Sequence, residues 1–292
     1  MSFDVTIRDL SVRFGDTHAL DGITFDLAAG TIVGLLGRNG AGKSTLLSTL
    51  AAFRRPTSGR VLVDGEDPYE QRRLMSEIAL VREDGDLDGA TSVRRSLDVA
   101  GCLRPRWDQA LADRLLDRFQ IDPRKKVCAL SRGQRSAVAV TIGIATRAPL
   151  TMFDEPHLGM DAPARYAFYD ELLADYIDHP RTVIVSTHLI DEMASLLEDI
   201  VIVDRGRVLA HQRTEELQGR GVELTGPTAA VEELTRDMSV LSRRSLGTTT
   251  SAVVFGDFNG HLRDHAAQLG VALGPIPLQD LFVSLTSQEL VP

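Results

Sequence analysis

The sequence predicts an α/β fold, a parallel sheet covered on both faces by helices, with a helical insertion and a small α+β extension. Three observations carry this. Apolar runs and helical patterns alternate from "PLTMFD" through 161–178, "RTVIVS" and 190–198 to "DIVIVDRGRVLA", and such alternation implies a parallel sheet. Between about 87 and 140 the rhythm gives way to apolar positions three and four residues apart, as in "WDQALADRLLDRFQI", the period of an amphipathic helix. From about Gly219 the order becomes β-α-β-β-α-β through "GVELTG", "TAAVEELTRDM", "SVLSRRS", "SAVVFG", "GHLRDHAAQLG" and "VALGP", a ferredoxin-like order closed by a helix in "PLQDLFVSLT". The expected domains are therefore 1–218, with its helical subdomain at about 87–140, and 219–292.

The individual elements follow in order. Residues 5–36 alternate in β-like runs, "VTIRDLSVRF", "ALDGITFDL" and "TIVGLLG", and period-two alternation marks strands. A helix is expected from about Lys43 through "STLLSTLAA"; "RVLVDG" and "EIALVR" read as further strands, and "GQRSAVAVTIGIATRA" as a buried helix. A chain of 292 residues with 43% hydrophobic and 25% charged residues is a globular protein with room for one large and one small domain. Its longest apolar runs are too short to cross a bilayer, and "MSFDVTIRDL" has no signal-peptide pattern. Cys102 and Cys128 supply neither a disulfide framework nor zinc spacing, which points to a cytoplasmic protein. The net charge of -9 argues against nucleic acid as the main partner. Only three of the 32 basic residues are lysines, and one of them, Lys43, falls in the motif that carries the chemistry.

That motif is "GRNGAGKST": Gly37, Arg38, Asn39, Gly40, Ala41, Gly42, Lys43, Ser44 and Thr45. It follows an apolar strand and opens a helix, the context a Walker A phosphate loop requires. Its glycines let backbone N–H groups close on phosphate oxygens, and the helix N-terminus adds its dipole. Lys43 is suited to the β- and γ-phosphates, and Ser44 to Mg²⁺. "PLTMFDEP" supplies a partner, for Asp154 emerges at the C-terminal end of a buried strand, the edge where ligands bind a parallel sheet. Asp154 can hold Mg²⁺ directly or through water, and Glu155 can face the attacking water, although acidic pairs at strand ends also cap helices. His188 ends "VIVSTH" on the same edge, within reach of a γ-phosphate.

With these elements placed, the chain resembles the nucleotide-binding subunit of an ATP-binding-cassette (ABC) transporter over about residues 3–215, with the family's motifs in order. "GRNGAGKST" is similar to Walker A and "MFDEP" to Walker B. "VRFGD" puts Phe14 where the family has an aromatic that stacks on adenine. "LSRGQ", Leu130 to Gln134, resembles the family signature, with Arg132 instead of the more usual glycine; "GMD" puts Asp161 in the D-loop, and Thr187–His188 resembles the switch histidine. From the residues alone "LSRGQ" is a helix N-cap at Ser131. The resemblance implies more: Ser131, the Gly133 backbone and Gln134 face the ATP held by a second copy, and a C2 dimer completes two composite sites. One position departs from the family, which has a glutamine where "VREDGDL" has Glu83. That carboxylate either ligates Mg²⁺ or, if the alignment slips, is solvated.

The resemblance implies a P-loop core of ABC type with an antiparallel β edge, binding ATP and Mg²⁺. It implies an ATP-binding and ATP-hydrolysing subunit that powers a bacterial exporter through ATP-driven homodimer closure. The subunit would be cytoplasmic, held on the inner face of the membrane by a separate transmembrane permease. The tail resembles that of ABC-2-type exporter ATPases. Two other classes make different demands. A soluble ABC ATPase acting on DNA or the ribosome predicts two cassettes, a long coiled-coil insertion or zinc cysteines, and the sequence has none. A module that no longer hydrolyses ATP is opposed by the intact Lys43, Asp154, Glu155 and His188, and is left open only by Glu83 and Arg132.

Overall fold

In the computed structural model, residues 2–82, 86–256 and 260–287 are described. Two compact units result. The first takes in the chain through His188 and then Leu196–His211; the second takes in Leu189–Ser195 and the described residues from Gln212 onward.

The first unit begins with β1 (Val5–Phe14) and β2 (Thr17–Leu27), an antiparallel hairpin, followed by β3 (Ile32–Leu36) and α1 (Lys43–Leu50). Next come β4 (Ser58–Val63), α2 (Arg72–Glu77) and β5 (Ile78–Val81). Strand β4 pairs with β1, giving a three-stranded antiparallel sheet in the order β2-β1-β4. The helices α3 (Val93–Leu103), α4 (Gln109–Arg118) and α5 (Arg132–Ala145) follow. The helical pattern read across 93–120 is thus two helices. The break falls at "RPRWD", where Pro105 has no N–H to continue the ladder and Asp108 caps the new helix by accepting from Leu111 N. Helix α5 is buried from Ser136 to Thr141 and again over Gly143–Ala145.

The second sheet of this unit contains β6 (Leu150–Asp154), β7 (Thr182–Ser186), β8 (Asp199–Asp204) and β9 (Arg207–Arg213), with α6 (Ala162–Asp178) between β6 and β7. The six-stranded order is β5-β6-β7-β3-β8-β9. The pairs β5–β6, β6–β7, β7–β3 and β3–β8 are parallel. Every residue of β3, β6 and β7 is buried, as a parallel sheet covered on both faces demands. Val33, Leu35, Met152, Ile184 and Val201 of this sheet join Val5, Ile7, Leu10 and the α1 leucines 46, 47 and 50 in one apolar core. Because the strands are parallel, the ends of β3, β6 and β7 share one edge: Asp154 pairs with Ser186, and Leu35 with Ser186 on the other side. The sequence patterns therefore bring Gly37, Asp154 and His188 to a single border.

The helix expected at 190–198 is one turn, α7 (Ile190–Met193). The chain must return to the sheet, where the Glu198 N–H donates to Ile32 O at 2.9 Å. In the second unit the order is α8 (Thr214–Gly219), β10 (Gly221–Pro227), α9 (Thr228–Leu234), β11 (Ser239–Leu246), β12 (Thr249–Phe255), α10 (Gly260–Gln268), β13 (Ala272–Pro275) and α11 (Leu278–Ser287). Its sheet runs β11-β12-β10-β13 with every pair antiparallel, the ferredoxin-like arrangement. Leu224, Val231, Leu234, Ala252, Val254 and Leu262 form its core.

Candidate functional site

Between β3 and α1 the chain makes a tight turn that only glycine permits at one point. Gly42 has φ 108°, and a Cβ there would come within 2.6 Å of Ala19 O. Helix α1 then starts at Lys43, so its first-turn N–H groups have no intrahelical acceptors and face outward as donors. The Lys43 ammonium is buried, donates to Gly37 O at 2.7 Å and lies 3.4 Å from Glu155 Oε1. Asn39, Gly40, Ala41, Gly42, Lys43, Ser44 and Thr45 line a cavity of about 610 Å³, together with Glu155 and His188.

Across that cavity β6 delivers Asp154 and Glu155. Asp154 is buried behind the lining, and its Oδ1 accepts from Ser186 Oγ at 2.7 Å, which leaves Oδ2 for another partner. Glu155 has φ 49°, a left-handed conformation that costs a non-glycine residue about 1–3 kcal/mol. Its N–H donates to Ser186 O at 3.1 Å, anchoring the turn. His188 Nδ1 donates to Glu155 Oε2 at 2.7 Å, leaving its Nε2 for a second contact. His157 Nε2 lies 3.3 Å from the same oxygen. The carboxylate of Glu155 is thus a hub for a lysine and two imidazoles.

The signature residues lie elsewhere. Ser131 caps α5 by accepting from Gln134 N, and the Gln134 side chain accepts in turn from Ser131 N, a reciprocal capping box. Ser131, Gly133, Gln134 and Asp161 line a second cavity, of about 720 Å³, with Gly159 and Met160. A Cβ on Gly133 would collide with Gly159 O, so glycine is what lets these two turns touch. Asp161 caps α6 through Ala164 N at 3.0 Å. The plain N-cap read at Ser131 is present, and it coexists with an exposed hydroxyl and helix N-terminus in a cavity.

Phe14 ends β1 as an exposed ring outside the lining of the first cavity, with the Arg54 guanidinium 4.2 Å from its centroid. Glu83 lies outside the described residues. Two residues at the site were not singled out from the sequence, Ser186 and His157. Ser186 ends a strand two residues before His188, and His157 follows Asp154 by three. Both signals are visible only once β6 and β7 are known to be neighbours.

A glycine turn that closes on oxygens, a buried lysine and a carboxylate pair at adjacent strand ends suit one kind of ligand, a nucleotide polyphosphate. The fold and site define a P-loop nucleotide-hydrolysing domain. Comparison with known proteins gives the particular family. The family model "ABC transporter" matches residues 20–158. The "Daunorubicin resistance ATP-binding protein DrrA3" of Streptomyces coeruleorubidus is 34% identical over 220 residues, covering 73% of this chain and 69% of that protein. A "Nod factor export ATP-binding protein I" of Burkholderia lata is 27% identical across 98% of both chains. Among solved structures, an ATP-binding subunit of an ABC transporter aligns with a TM-score of 0.67 and 24% identity, over 73% of this chain and 91% of that one. This chain belongs to the ABC transporter family, as an ATP-binding and ATP-hydrolysing subunit.

Among the described residues, no helix is long and apolar enough to cross a membrane.

Proposed function

We propose that the chain is the ATPase of a bacterial exporter, acting as a homodimer whose two composite sites each join the phosphate loop of one copy to the signature turn of the other. One observation carries this reading. Lys43, Glu155 and His188 line one cavity, while Ser131, Gly133, Gln134 and Asp161 line another. Donors on an exposed helix N-terminus suit a polyanion, and a second copy related by a two-fold axis can present them to the nucleotide.

Within each site, the backbone of Gly40, Ala41 and Gly42 cradles the phosphates. Lys43 exchanges Gly37 O for the β- and γ-phosphate oxygens. Ser44 and the uncommitted oxygen of Asp154 are oxygen donors of the kind Mg²⁺ takes, and Glu83 is a further candidate. The ion, when bound, would neutralise charge on the phosphates. Glu155 accepts the proton of the attacking water, with its carboxylate held in place by His188. His188 also reports the γ-phosphate. Phe14 offers its ring to the adenine once Arg54 moves aside. The relatives named for drug resistance and Nod factor export support coupling to a separate transmembrane permease at the inner face of the membrane. The second unit, Leu189–Ser195 with the described residues from Gln212 onward, is proposed as an accessory domain of this subunit.

The test is Ser131→Arg. Acting across the dimer, Ser131 is not needed by its own chain's nucleotide, so ATP affinity measured at high dilution should equal wild type while hydrolysis falls at least tenfold. Equal losses of both would put the signature in its own chain's site and overturn the composite model.

A further inference from the structure

Glu155, His157 and His188 contribute one ligand atom each, and these atoms all lie within 4.8 Å of one another. The two imidazoles approach the same oxygen: His188 Nδ1 is 2.7 Å and His157 Nε2 is 3.3 Å from Glu155 Oε2. Their ring centroids are 4.9 Å apart. Lys43 leans on the other oxygen, Oε1, at 3.4 Å, which leaves Oε2 to the rings. His157 is only 3% exposed and is therefore held by packing, whereas His188 is exposed and free to adjust. Two imidazoles and a carboxylate are the donor set of three-ligand zinc sites, whose fourth position stays open to water. A tetrahedral ion with bonds of about 2.0–2.1 Å needs its ligands about 3.3 Å apart. The His157 contact already has that spacing, and the His188 contact needs to open by about 0.6 Å.

We propose that the nucleotide-free chain binds one zinc-like divalent transition-metal ion through Glu155, His157 and His188, and that this ion holds the ATPase inactive. The ion takes the position of the proton shared by His188 and Glu155, and that proton passes to solvent. Nitrogen ligands set this site apart from the oxygen-only chemistry that suits Mg²⁺. While the ion is bound, Glu155 cannot accept a proton from water and His188 cannot reach a phosphate. His157 is the residue that makes the difference: without it, the pair left behind lacks the third ligand.

The experiment uses the full chain, freed of metal and nucleotide, so its outcome is independent of how the chain hydrolyses ATP. Co²⁺ is titrated in and followed by visible absorption, and Zn²⁺ is then used to displace it. The expected result is one Co²⁺ per chain, with a four-coordinate spectrum of nitrogen and oxygen ligands and no thiolate charge-transfer band. His157→Ala and His188→Ala should each weaken binding at least tenfold. The double variant Cys102→Ser/Cys128→Ser should leave it unchanged, since both thiols are exposed and outside the cluster. Should the buried His157 variant fail to fold, the exposed His188 decides. Absence of Co²⁺ binding, unchanged binding in His188→Ala, or loss of binding in the cysteine variant would each overturn the proposal.

Discussion

Lys43, proposed to hold phosphate, is kept in place by the protein's own groups. Its ammonium is buried, an expensive position for a charge, and is kept there by Gly37 O and by the Glu155 carboxylate. Phosphate oxygens would replace these partners. A hydrogen bond to a charged group contributes about 1.5–3 kcal/mol, so Lys43→Ala should weaken ATP binding by about 10- to 100-fold. Calorimetry with Mg²⁺ present checks this, and wild-type affinity would remove the phosphate-loop assignment. Glu83 belongs to the same scale. If its carboxylate joins Asp154 at the metal, Glu83→Gln should raise the Mg²⁺ concentration for half-maximal ATPase with little change in maximal rate. Superimposable rate curves would make Glu83 a solvated acid. Lys43, Asp154, Glu155 and His188 were legible in the sequence because each ends a strand, follows one by one or two residues, or opens a helix inside a contiguous motif. Ser186 and His157 were not, because what makes them functional neighbours is the pairing of β6 with β7, which no local pattern states.

At the scale of elements, a buried charge network ties helices to the sheet. Asp175 of α6 accepts from Arg181 Nη1 at 2.7 Å and pairs with Arg147 Nη2 at 3.0 Å. Arg147 reaches on to Asp108, the cap of α4, at 2.9 Å. Burial lowers the proton affinity of Arg181 and the Asp175 charge opposes that, so the pair stands only while both partners are present. Asp175→Asn leaves two guanidinium groups facing an amide and should destabilise the fold by about 3–5 kcal/mol. Urea denaturation measures it, and a change below about 1 kcal/mol would show the network to be ornamental. The elements themselves were legible wherever periodicity was strong, as in β3, β6, β7 and α5. The breaks were less so: Pro105 divides a continuous helical pattern, and α7 is cut to one turn by a backbone bond from Glu198 to Ile32 that the sequence does not announce. Network members such as Arg147 and Asp175 carry no motif at all.

The whole molecule comprises a family-typical ATPase unit and a ferredoxin-like unit that includes α7, where Asp191 Oδ1 accepts from Gln279 N of α11 at 3.1 Å. The change of pattern near Gly219 was legible in the sequence, while the membership of α7 was not, since it depends on a contact 88 positions away along the chain. The function proposed at this scale is the coupling of two copies by nucleotide. If Glu155 is the base, as proposed, its replacement by an isosteric amide should separate binding from hydrolysis. Glu155→Gln should bind ATP, hydrolyse it far more slowly and accumulate as a nucleotide-held pair. Size-exclusion chromatography of Glu155→Gln with ATP and Mg²⁺ is therefore the most direct measurement: the account predicts a dimer that wild type shows only weakly, and a monomeric variant that still hydrolyses ATP at the wild-type rate would contradict it.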